Sequence, residues 1–150
     1  MTPDMELTLP ARAENIAIVR HALGGLGEAF GVPESKLSDI RLAVTEACAN
    51  VVVHAYPEDM EGAMEVHANI DGPEMTVMVR DWGHGIRPRS DSPGLGLGLS
   101  LMAALAERVQ LGHGTEEHTE VRMTFGLDGV ERTNEVISGM ITLTGTSGLA

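Results

Sequence analysis

Residues 62–81, GAMEVHANIDGPEMTVMVRD, constrain the fold of this chain more than any other stretch. Met64, Val66, Ala68 and Ile70 alternate with Glu65, His67 and Asn69, and Met75, Val77 and Val79 alternate with Thr76, Met78 and Arg80. A period of two marks strands with one apolar face. The Asp71-Gly72 pair between them is of the kind that closes a tight hairpin. The apolar face of such a hairpin has to be covered, and the remaining sequence must supply the cover.

The flanking segments read accordingly. MELTLP (5–10) alternates as a short strand, and Ile16, Val19, Leu23 and Leu26 are spaced helically between Ala11 and about Ala29. Gly24, Gly25 and Gly27 are expected to weaken the end of that helix and lead into a loop. A second helix begins near Pro33 or Ser35 and runs to about Ala55, where Pro57 stops it. After the hairpin, residues 81–98 read as a Gly-rich loop and 100–109 as a third helix. VQLGHG and EVRMTFGL read as two closing strands. The order β-α-α-β-β-loop-α-β-β predicts an α+β two-layer sandwich. Its sheet is mixed but mostly antiparallel, with helices on one face and solvent on the other. Residues 1–129 form the expected domain, and 130–150 are either a loosely attached tail or one added element.

Composition excludes several function classes. A net charge of −12 argues against a broad nucleic-acid surface. No segment approaches the roughly 20 apolar residues of a membrane span. The start, MTPDMELTLP, lacks the basic residues and apolar run of a signal peptide, so a cytoplasmic location is expected. The single cysteine, Cys48, reads as a small core hydrophobe rather than a nucleophile. The six histidines show no metal-ligand spacing.

Three patches interrupt the apolar patterns. In LAVTEACANVVVHAY, Glu46 and Asn50 lie four residues apart, about 40° around a helix, facing away from Ile40, Val44 and Val51. Taken alone, this pair is better explained as the solvent side of an amphipathic helix. In DWGHG, Asp81 ends a strand, and Gly83 and Gly85 permit close approach of a ligand; an ordinary turn has the same composition. Trp82 reads as a packing residue. GLGLGL (94–99) precedes a helix, where unpaired N–H groups and the dipole favour phosphate, although a flexible hinge is equally consistent. Together the three describe an ATP–Mg²⁺ site. Glu46 would orient or deprotonate a nucleophile, the Asn50 oxygen would suit Mg²⁺, and Asp81 would accept from a purine amine.

LAVTEACANVVVHAY, VRDWGHGI and GLGLSLMAALAERV, in this order, resemble the GHKL ATPase superfamily. The likeness extends over most of residues 5–126. It is greatest to the bacterial anti-sigma factor serine/threonine kinases of the RsbW/SpoIIAB type. The resemblance implies a Bergerat-type sandwich, ATP or ADP with Mg²⁺ as cofactors, and Glu46 as catalytic base. It implies Asn50 as the magnesium ligand, Asp81 as the reader of the adenine amine, and Gly83 and Gly85 as shapers of that pocket. Gly96, Leu97 and Gly98 match the phosphate-contacting second glycine box, with Gly94 an extra glycine beside it. Thr119 matches a threonine near the adenine, preceded here by His118 where the family has glycine. The implied partners are a sigma factor and a STAS-type anti-sigma antagonist, and family members often pair as homodimers.

The sequence departs from the family in one respect that bears on activity. Only seven residues, RPRSDSP, separate Ile86 from Gly94, so the segment that forms the ATP lid is very short. Arg87 and Arg89 within it either meet phosphate charge or are simply solvated. Two functions therefore compete. One is a protein kinase that binds a sigma factor and phosphorylates an antagonist. The other is a regulatory module that holds nucleotide without turnover.

Overall fold

The computed structural model describes residues 2–83, 95–113, 118–128 and 141–144. The elements are β1 (Met5–Pro10), α1 (Ala13–Ala29), α2 (Glu34–Asn50), β2 (Ala63–Asp71), β3 (Glu74–Asp81), α3 (Leu95–Leu105), β4 (Arg108–His113), β5 (Thr119–Gly126) and β6 (Ile141–Thr144). Five strands pair antiparallel in the order β1-β2-β3-β5-β4, and β6 adds to β4 in parallel. The mixed, mostly antiparallel sheet agrees with the expected α+β sandwich. The sequence between 130 and 150 contributes its outermost described strand.

The alternating runs behave as their period demands. Met64, Val66, Ala68, Met75, Val77 and Val79 are buried, as are Val121, Met123 and Phe125 of β5. They meet Val19 and Leu23 of α1, Leu37, Ile40 and Val44 of α2, and Met102 and Ala106 of α3 in one core. Each of the larger of these side chains, at full burial, contributes about 2 kcal/mol relative to exposure. The opposite face carries a cross-strand ion row, Glu65–Arg80–Glu120, in which Arg80 donates to Glu65 at 3.2 Å and to Glu120 at 3.3 Å. That face is less solvated than its pattern predicts. Met78, at the sheet centre between His67 and Arg122, is 5% exposed, because long neighbouring side chains flank it.

Three boundaries differ from expectation. The hairpin turns one residue later than the Asp-Gly pair suggests. Asp71 and Glu74 are partners, Gly72 takes the first turn position at φ +57°, and Pro73 takes the second. Helix α1 continues through Gly24, Gly25 and Gly27 to Ala29. A Cβ at Gly27 would stand 2.6 Å from Leu37 Cδ1, so the glycine permits α1 to approach α2, and packing outweighs propensity. The stop comes at Gly31, with φ +72°. There Gly31 N–H donates to Glu28 O and Val32 N–H to Gly27 O, the pattern of a Schellman cap. Helix α3 begins at Leu95, inside the glycine-rich stretch expected to be loop, and gives way at Arg108 to β4. The second helix reaches Ala55 as expected, with α2 ending at Asn50 and a π-helical turn over Val51–Ala55 completing it.

Cys48 lies fully buried on α2, and desolvation pushes its thiol from 9.0 up to about 12. At pH 8 the native protein is therefore expected to resist a thiol-specific chromogenic reagent, whereas the unfolded chain reacts at once. The raised folded-state value favours the native state below pH 9, and this contribution falls away as pH rises from 9 towards 12. Rapid labelling of the native protein at pH 8 would contradict the burial.

Candidate functional site

The last two turns of α2 carry the first half of the site. Glu46 is half-buried and Asn50 is 8% exposed, on the side of α2 away from the Ile40–Val44 stripe. Helix α3 packs against this side of α2. A Cβ built at Gly98 would stand 3.1 Å from Asn50 Nδ2 and 3.7 Å from Glu46 Oε2. A side chain there would crowd the space between the acid and the amide, so glycine suits this close approach. Sequence alone favoured solvent as the neighbour of Glu46 and Asn50; the structure instead sets the first turns of α3 against them. Asn50 Nδ2 is buried and has no hydrogen-bond partner among the described residues. A buried amide donor without a partner is costly, and a ligand would relieve it.

The second half lies at the C-terminal end of β3. Asp81 is 2% exposed and its Oδ1 accepts the Gly83 N–H at 3.0 Å, an Asx turn that aims the carboxylate. In the sheet register Asp81 sits opposite Thr119 on β5, itself 4% exposed. Two residues separated by 38 positions in sequence are thus cross-strand neighbours. Gly83 is held from the other side, because a Cβ there would stand 1.9 Å from the Ala55 carbonyl oxygen at the end of the π turn. Glu46 and Asn50 lie on the last turns of α2 and Ala55 closes the π turn that follows, so the site has a Glu46–Asn50–Gly98 end and an Asp81–Gly83–Thr119 end.

Two findings escaped the sequence reading. Trp82 is 41% exposed, so its indole is not a core packing element; its backbone is the anchored part. The anchor is Tyr56, whose Oη accepts the Trp82 N–H at 2.9 Å and donates to Ala63 O at 2.6 Å. Tyr56 is the chain's only tyrosine, directly before Pro57, and that isolation was the available signal. Gly96 and Leu97 lie in the first turn of α3. Gly85, Gly94, His84, Arg87 and Arg89 lie outside the described residues. No helix among the described residues is long and apolar enough to cross a membrane.

Comparison with known proteins shows the family and the fold. The family model of the histidine kinase-like ATPase domain matches residues 9–125. The serine-protein kinases RsbW of Bacillus mycoides (strain KBAB4) and Bacillus cereus (strain Q1) are each 30% identical over 135 residues. Each match covers 80% of this chain and 82% of the relative. Among solved structures, that of the RsbU and RsbW domains of a Mycobacterium tuberculosis protein superposes with a TM-score of 0.64 at 26% identity. The match covers 83% of this chain and 33% of that longer one.

Proposed function

This chain belongs to the histidine kinase-like ATPase domain family, and from that premise we propose that it is an ATP-dependent protein serine/threonine kinase that holds a sigma factor and phosphorylates a STAS-type anti-sigma antagonist. The observation that carries the reading is the close approach of Gly98 to both Glu46 and Asn50, beside an unpartnered buried amide. The donor set fits a magnesium nucleotide. It combines a carboxamide oxygen, a carboxylate and the N-terminus of an eleven-residue helix.

In this proposal the N–H groups in the first turn of α3, at Gly96, Leu97 and Gly98, hold the phosphates. Asn50 offers its oxygen to the metal and its Nδ2 to a phosphate oxygen. Mg²⁺ bound there would supply positive charge to offset the charge that develops on the transferred group. Glu46 accepts the proton of the substrate hydroxyl as the phosphoryl group is transferred. Phosphoryl transfer rests mainly on positioning and charge stabilisation, which this arrangement supplies. Asp81 accepts from the exocyclic amine of adenine, with Thr119 beside it and Gly83 leaving room for the base. Cytoplasmic placement and a homodimer belong to the same proposal.

The test is to incubate the chain with Mg²⁺, γ-labelled ATP and candidate antagonist proteins, then look for phosphoserine or phosphothreonine. Labelled antagonist is the expected result. The seven-residue RPRSDSP segment favours the second reading, a nucleotide-holding regulatory module. Tight ADP binding with no transfer to any candidate would favour that module over the kinase.

A further inference from the structure

We propose that Tyr56 is a positioning residue that sets the purine selectivity of the nucleotide pocket by bracing the Asp81–Gly83 turn. The inference rests on the nucleotide reading above and adds a residue with no assigned role in it. Tyr56 lies just past the π turn, in extended conformation with φ −125° and ψ 144°. Its ring lies over Gly62, where a Cβ would come within 2.1 Å of Cζ. The hydroxyl bridges two segments, accepting from Trp82 N–H at 2.9 Å and donating to Ala63 O at 2.6 Å.

These contacts bracket Asp81 from one side of the turn. Trp82 directly follows it, and Gly83, whose N–H caps the Asp81 carboxylate, is pressed against Ala55 and the Tyr56 ring. A carboxylate whose following peptide is pinned keeps one orientation, and orientation is what a single hydrogen bond to a purine substituent requires. Burial, together with the nearby Asp81 charge, holds the Tyr56 hydroxyl above the usual phenol range. It therefore stays protonated at neutral pH and can donate to Ala63 while accepting from Trp82. The bracing acts at the Asp81 end, beyond the π turn that follows the Glu46-bearing turns of α2. It should therefore affect base recognition rather than transfer.

Tyr56→Phe keeps the ring over Gly62 and removes only the bridging oxygen. Calorimetry with ATP and with inosine triphosphate, which lacks the 6-amine, reads the consequence. In the wild type ATP binds more tightly. In Tyr56→Phe the ATP-to-inosine preference is expected to fall about three- to tenfold. Where transfer is measurable, KM for ATP rises and kcat holds. An unchanged preference in Tyr56→Phe, with the wild type discriminating, overturns the inference and leaves the nucleotide reading intact. A wild type that binds neither triphosphate overturns the nucleotide reading and this inference with it. One that binds both equally overturns the reading of the adenine amine and this inference, and leaves nucleotide binding standing. Should Tyr56→Phe not fold, hydrogen exchange in the wild type decides. A Trp82 amide as protected as those of β3 supports the brace, and exchange at the rate of an open loop overturns it.

Discussion

Glu46→Gln is expected to slow phosphotransfer by about 10²–10⁴-fold while the protein still binds ADP. The reasoning follows from where Glu46 sits. It is half-buried on α2, with Oε2 3.7 Å from the Cβ position of Gly98. At that place a carboxylate contributes negative charge near the proposed phosphates, so removing the charge does not weaken nucleotide binding and slightly favours it. What glutamine cannot do is accept a proton from a serine or threonine hydroxyl. Affinity and rate should therefore separate, with calorimetry reporting ADP and labelled ATP reporting transfer to an antagonist. Wild-type transfer by Glu46→Gln would remove Glu46 from the role of base. Parallel loss of binding and transfer would mean that the residue only supports the pocket.

Asp81→Ala is expected to produce the complementary pattern, a loss in binding that depends on the base. A hydrogen bond to a charged acceptor is worth about 1.5–3 kcal/mol, so affinity for ADP should fall roughly 10- to 100-fold. Inosine diphosphate, which has no amine to offer, should lose much less. The substitution also removes the acceptor of the Gly83 N–H, which frees the turn that presents the pocket. Calorimetry with both diphosphates separates the two effects. A uniform loss would point to a collapsed turn, whereas a selective loss points to direct reading of the base. If ADP bound to Asp81→Ala as tightly as to the wild type, the adenine would have to lie elsewhere.

Much of the architecture was legible because it follows from short-range periodicity. The period of two in residues 64–70 and 75–79 specified β2 and β3 and the face each buries. The angular step of a helix specified that Glu46 and Asn50 share a side away from Ile40 and Val44. Glycine was harder to read, since it marks a loop, a cap or a close contact with the same letter. Gly31 is a cap at positive φ, Gly27 a helix contact, and Gly98 a contact inside α3 that the sequence placed in a loop. Only the neighbour on the other element distinguishes them.

By itself, then, the sequence determined which residues could face a core and which polar groups interrupted its apolar stripes, because those properties depend on the few residues to either side. Tertiary structure alone decided what the polar groups would meet. Asp81 found Thr119 through the β3–β5 register, Asn50 found Gly98 where α3 packs on α2, and Trp82 found Tyr56 across 26 residues. Each of these contacts joins segments distant in the chain, and burial of the shared core brings such segments together in ways that no local pattern encodes.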